Sequence, residues 1–337
     1  MLRRLSPGRL ALAGLILAAV VAAVLWLAPS GDYIFLPDPA HPVAPLVKVP
    51  RPKPDNDGGG IYFVDVFERK ATLLERLFPG IRDGATIVPA SAVNPPGTND
   101  AQRRTVDLRE MAQSQQIAAA VALKALGYKV AAEPNGVLVA QVIGGTPAAG
   151  KLSPTDVIVT VDGHAVRTPG QLRAQMQLHR PGDHVRLTVR SSGGTRAVTL
   201  GTIADPQNRT RALIGIVPAQ AASIKLPVPI TIDAGNVGGP SAGLAFALEV
   251  MEKLGRDVDQ GHRVAATGEI ELDGSVGPIG GVKQKTIGAR KAGVDVFLVP
   301  AGDNAEEARR YADGLRIVPV QNFGQALRSL ATLPKSE

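Results

Sequence analysis

Nineteen consecutive positions, Leu10 to Ala28, carry no charge. A helix of that length rises about 28 Å, close to the thickness of a hydrocarbon core. Arg3, Arg4 and Arg9 precede the run and Asp32 is the first charge after it, so residues 1–9 are expected in the cytoplasm and the rest on the far side. The run is long for a cleaved leader, and Trp26-Leu27-Ala28 is a poor processing site, which favours a retained anchor over residues 10–28. Residues 29–57 include LPDPAHPVAPLVKVPRPKP, a proline pattern expected to give an extended spacer with neither helix nor central strand. Apolar density returns at Ile61–Val66, read as a strand, and residues 81–107 read as loop. From Leu108 to Leu126 a helix is expected, with Ile117, Val121 and Ala125 on one face and Gly127 as its stop.

The pattern then switches to short alternating strands at 136–142, 156–161, 184–189 and 197–200, with turns at Gly144–Pro147 and Asp162-Gly163 and a short helix near 168–179. GVLVAQVIGGTPAAGKLSPTDVIVTVDGHAV (136–166) and GDHVRLTVR (182–190) resemble a bacterial protease-associated PDZ domain. The resemblance implies a small β-barrel whose groove takes an extended peptide, often a C-terminal tail, as an added strand. Leu126-Gly127-Tyr128 is a candidate for its carboxylate-binding loop. In the last third, Ile230–Asp233 reads as a strand, Leu244, Leu248 and Met251 share one face of a helix that stops at Gly255, and a second helix opens near Gly281.

Composition narrows the chemistry. The chain of 337 residues is 45% hydrophobic and 20% charged, enough for more than one core. It has no cysteine, which excludes a disulfide scaffold, a thiol nucleophile and a zinc ribbon. The five histidines are scattered and no H-E-x-x-H occurs, so no metal site is expected. The net charge is +7, but three of the cations precede the apolar run and none forms a long basic tract with aromatics. Nucleic acid is therefore not an expected partner. Gly145-x4-Gly150-Lys151 nearly matches a phosphate-cradling loop, but Leu152 cannot ligate Mg²⁺ as Ser or Thr would. No ATP and no other cofactor is expected.

Ser241 follows a glycine-rich bend and opens a helix. That is a good place for a cap, and also for a nucleophile beside unpaired amides. Gly239-Pro240-Ser241-Ala242-Gly243 fits G-x-S-x-G, but the only later histidine, His262, is too close to Asp257 and Asp259 for a hydrolase triad. A lysine can replace the missing base. Lys283 and Lys285 lie on opposite faces of the second helix. Lys285 shares its face with Val282, Ala289 and Ala292, an apolar setting that would depress its pKa.

GPSAG, TGEI…PIGGVKQK and AGVDVFLVP (292–300), in that order, resemble the proteolytic domain of the Lon family of serine–lysine peptidases. The resemblance implies Ser241 as nucleophile, Lys285 as general base and Thr267 as the residue that orients the lysine. It also places Glu110 near the site and the oxyanion donors around Gly239, Pro240 and Ala242. The family's ATP-dependent members usually carry Asp-Gly before Pro-Ser, where this chain has Gly238-Gly239, and no ATP-driven motor is expected.

The expected fold is an α/β (α+β) Lon-type proteolytic domain with an inserted β-rich PDZ domain and one N-terminal transmembrane helix. The protease parts are placed at 58–127 and 204–335 and the PDZ insert at 128–203. The expected protein is an ATP-independent serine endopeptidase, single-pass in a bacterial cell membrane, with its catalytic domain outside. Its expected partners are flexible polypeptides, the bilayer at residues 10–28, and copies of itself in a ring, a hexamer by resemblance. The competing expectation is a catalytically silent PDZ adaptor.

Overall fold

The computed structural model describes residues 7–53, 58–94, 100–154, 156–191 and 194–334. A helix covers Pro7–Leu27. Leu12, Leu15, Leu17, Trp26 and Leu27 on it are all more than half exposed. Among the described residues, no helix is long and apolar enough to cross a membrane. The anchor expected over residues 10–28 is therefore not supported by the structure.

The proline-rich segment is not a spacer. Pro29–Pro37 is the central strand of a three-stranded antiparallel sheet, between Val66–Thr72 and Thr86–Val88. Its prolines stand at the strand's two ends, so the residues between them keep their amide donors for the ladder. Tyr33, Ile34, Val43 and Val47 from this stretch are buried. The expected strand Ile61–Val66 breaks in two, Gly60–Phe63 and Val66–Thr72, which join different sheets. The loop expected over 81–107 instead contains the strand Thr86–Val88, the short helix Ala90–Val93 and the start of a long helix, Asp100–Ala125.

A five-stranded sheet forms the main body, in the order His41–Pro42, Gly60–Phe63, Arg263–Ala266, Val296–Pro300 and Arg316–Val320. The first pair is antiparallel and the other three are parallel. Side chains alternate across a strand, so neighbours feed different cores. Val264 and Ala266 pack with the long helix and with Gly243–Lys253, the serine helix. Ala265 packs on the opposite face with Val282 and Ala289 of Val282–Lys291, the lysine helix. The sheet thus holds the two helices apart and leaves them to meet past its strand ends.

A second, antiparallel sheet has its own core around Val139, Ile158, Leu187 and Leu200. Its strands run in the order Gly194–Gly201, His184–Ser191, Val157–Val161, Ala131–Val142 and Ile216–Lys225. The helix Pro169–Met176, capped by Thr168, covers it. The last strand, the groove strand, lies beyond the residue 203 expected to end this unit. It is an edge, paired only to Ala131–Val142 among the described residues.

Candidate active site

Ser241 reaches its place through a bend that needs glycine. Gly239 has φ +82°, a left-handed conformation that a side chain would strain, and its amide donates to Asp107 O at 2.8 Å. A 3₁₀ turn, Pro240–Ala242, then leads into the serine helix. Ser114 Oγ donates to Pro240 O at 2.9 Å, and the Gly268 amide donates to Ser241 O at 2.8 Å. Both ends of the turn are therefore fixed, one by the long helix and one by the segment leaving the sheet.

Lys285 arrives from the other side. Gly281, with φ +70°, starts the lysine helix, and a Cβ there would strike Val66 Cγ2 at 2.6 Å. Lys285 is 4% exposed, and its Nζ donates to Ser241 Oγ at 2.8 Å and to Thr267 Oγ1 at 3.4 Å. Thr267 follows the strand Arg263–Ala266 and its hydroxyl donates to Ser241 O at 3.1 Å. The three residues meet at the carboxyl end of a parallel strand, where α/β sheets place their sites. Lys283 points elsewhere, its Nζ donating to Ala85 O at 3.0 Å.

Burial lowers the Lys285 ammonium from 10.5 to about 8, and the Asp65 carboxylate opposes the shift. Asp65 is itself pushed up, first by burial and then by the charge of Asp38, while His41 works the other way. The lysine thus has one weak countercharge, which favours the neutral amine. Ser241 and Lys285 line a cleft of about 860 Å³ with Asp38, Asp65, Asp107 and Arg103. A side chain at Gly238 would meet Asp107 Cβ at 2.8 Å, so Asp107 fills the room left by the glycine pair and lends its own carboxylate to the cleft.

Glu110 is not brought to the dyad's cleft. It lines a neighbouring cavity of about 350 Å³, shared with Glu269, Glu271, Pro240 and the groove strand. Burial and the charges of Glu269 and Asp107 raise its carboxyl to about 7. Of the expected oxyanion positions, Gly239 has spent its amide on Asp107, and Pro240 has none to give. The amides of Ser241 and Ala242 remain. Leu126, Gly127 and Tyr128 lie at the end of the long helix and line no part of this cavity; Arg211–Gln220 do, with Pro169, Leu172 and Met176. Asp65, Asp107, Ser114 and this groove loop carry no signal in the sequence, because no local motif marks a residue that acts on a partner far along the chain.

Two parts of the chain match known protein families. Residues 217–332 match the model of the Lon protease (S16) C-terminal proteolytic domain, and residues 124–202 match that of the PDZ domain. The chain is 36% identical to Lon protease 1 of Sorangium cellulosum over 41% of its own length and 18% of that protein's. It is 34% identical to Lon protease 2 of Bacillus subtilis over 34% of its length and 19% of that protein's. It therefore spans under a fifth of the length of these relatives. The PDZ domain of an SdrC-like protein from Listeria monocytogenes aligns with 25% of this chain and 88% of that one, at 24% identity and a TM-score of 0.24. The chain carries a Lon-type serine peptidase domain joined to a PDZ domain.

Proposed function

We propose that the protein is an ATP-independent, membrane-anchored serine endopeptidase that cuts flexible polypeptides by a Ser241–Lys285 dyad. The observation that supports this most is the 2.8 Å contact from a buried, pKa-depressed lysine amine to a serine hydroxyl at the start of a helix. Neutral Lys285 takes the proton from Ser241 Oγ as that oxygen attacks the peptide carbonyl. The Ser241 and Ala242 amides stabilise the oxyanion. The Lys285 ammonium then protonates the leaving amine, and water, deprotonated by the lysine, releases the acyl group. Thr267 holds Nζ on line.

The groove beside the strand Ile216–Lys225 receives the substrate, by its C-terminal tail, as an added strand. The Ile214 and Gly215 amides, which donate no hydrogen bond among the described residues, suit the tail's carboxylate. The substrates of this reading are flexible polypeptides that need no unfolding. The helix Pro7–Leu27 meets the folded body at its C-terminal end, where Arg82 lies 5.6 Å from the Trp26 ring centroid. Its exposed apolar surface suits lipid, and Arg3, Arg4 and Arg9 favour a catalytic domain outside a bacterial cell membrane. Assembly into a ring, a hexamer by family resemblance, completes the proposal.

The test is cleavage of casein and of a fluorogenic peptide by purified Ser241→Ala and Lys285→Ala chains with unchanged melting temperatures or circular dichroism. Both are expected to be inactive. Activity retained in either would reject the dyad, and no activity in the wild-type chain would return it to a PDZ adaptor. Comparing new protein termini in cells with wild-type or Ser241→Ala enzyme would name the substrates.

A further inference from the structure

The peptide groove does not end within the PDZ unit. It runs between the groove strand and the helix Pro169–Met176, over Ile143, Leu172, Met176 and Ile216. Its far end is walled by Glu110 from the long helix and by Glu269 and Glu271 from the hairpin next to Thr267. Apart from Arg173, the polar groups left open there are acceptors. Both Glu271 oxygens and Gln220 Oε1 are buried without a hydrogen bond. The Gln220 amide is oriented by its own Nε2, which donates to the carbonyls of Gly136, Arg167 and Ala221. Glu271 rests against Gly170 and feels the Thr168 hydroxyl and Gly170 amide, but bonds to neither in good geometry. Glu110 makes no hydrogen bond or ion pair among the described residues, and no cation weighs on it. Arg173 is the cation that acts on Glu269 and Glu271.

Such a set calls for a ligand rich in donors and positively charged. A metal ion held by three of these side chains does not fit: among the described residues, the clusters of three or more metal-ligating side chains with ligand atoms within 4.8 Å of one another are elsewhere. A long side chain ending in an ammonium or guanidinium does. We propose that Glu110, Glu269, Glu271 and Gln220 form a specificity subsite for a lysine or arginine of the bound tail, about four residues before its free carboxylate. The inference rests on the groove accepting a tail, as proposed above.

The register follows from the strand. A carboxylate held by the loop at Ile214–Gly215 sends the tail antiparallel to the groove strand. From Ile216 to Gln220 is then about 13 Å, or four residues. At Gln220 the strand's outer edge closes, because Gln113 Nε2 donates to the Gln220 carbonyl. The tail must leave the strand there, against the acidic wall. Pro240 lines this same end of the groove, and the next residue is Ser241 in the catalytic cleft. A basic residue seated on the wall would deliver the upstream chain toward the nucleophile.

The experiment measures anisotropy of labelled decapeptides on the full-length Ser241→Ala chain, which cannot turn them over. The peptides share an apolar last residue and carry Lys, Gln or Glu four residues before it; the Lys peptide is also made as a C-terminal amide. Lys should bind about 10-fold tighter than Gln, with Glu weaker still, as expected for a partly desolvated charged hydrogen bond. Adding Glu269→Gln or Glu110→Gln, each with an unchanged melting profile at pH 4, should reduce the preference to about twofold. If the free carboxylate is required but Lys, Gln and Glu bind alike, the subsite is wrong and the groove stands. If no peptide binds, both fall. If millimolar Ca²⁺ or Mg²⁺ alone binds and Lys gives no advantage, the wall is a metal site and the proposal is overturned.

Discussion

The catalytic cleft and the far end of the tail groove both bury ionisable groups without full countercharge, with opposite signs and opposite uses. In the cleft a single cation, Lys285, is held at about 8 by burial, with Asp65 as the opposing charge. In the groove Glu110 and Glu269 are each raised to about 7, by burial first and by neighbouring carboxylates next. Desolvation disfavours the charged form in both places. It favours the neutral amine in the cleft and leaves the carboxylates of the groove without full countercharge. Pro240 lines one cavity and Ser241 the other, so the two stand back to back across one turn.

The largest effect expected from breaking this contrast is at Lys285. Lys285→Met should lower kcat/KM by at least about 1,000-fold on a fluorogenic peptide. It should also stabilise the fold. The folded lysine titrates at about 8 against 10.5 when unfolded, so the fold binds fewer protons between those values. The penalty is full below pH 8 and fades as pH rises to 10.5. Urea melts at pH 6 should show a gain of up to about 3 kcal/mol, absent at pH 10.5. Equal melts for both chains at pH 6 would mean that Lys285 is not held against its charge.

Thr267→Val should cost about 10- to 100-fold in kcat with little change in KM, because it removes the hydroxyl that fixes Nζ and Ser241 O. Unchanged kcat would reduce Thr267 to packing. In the groove the sign reverses. A carboxylate raised from 4.5 to about 7 contributes stability below 4.5, which is lost as pH rises through 7. Glu269→Gln should therefore stabilise by about 1–2 kcal/mol at pH 8.5, a figure discounted because part of the side chain meets solvent, and by nothing at pH 4. The same gain at both pH values would show that charge is not its cause. The smallest effect falls to Asp65→Asn. Removing the charge that props up the lysine should move the acid limb of kcat/KM a few tenths of a pH unit lower. An upward move would mean that the Asp65 carboxylate does not favour the ammonium.

What the chain revealed before folding follows the same division. The dyad was legible because each half is local: a glycine bend before Ser241, and a helix whose apolar face selects Lys285 over Lys283. The serine and lysine helices and the small β unit's alternation were legible for the same reason. The strand Pro29–Pro37 was hidden because its prolines read as breakers, and only the fold shows them at its ends. The groove strand was hidden because its sequence, with Pro218 inside, gains strand status from pairing with Ala131–Val142, about 80 residues away. Its register shifts at Val217/Pro218, an irregularity suited to an edge strand. The acidic wall was hidden because Glu110 and Glu269 meet only when the long helix and the catalytic hairpin are packed together. Glu110 could be placed near the site from resemblance, but not on the groove's side of the turn.

The most direct test is the pH dependence of kcat/KM for the wild-type enzyme on one uncharged fluorogenic peptide, from pH 5.5 to 10.5. A single acid limb with its midpoint near 8, activity rising as the lysine gives up its proton, is the result the dyad predicts. A flat profile, or a midpoint near 6.5 set by a histidine, would contradict it.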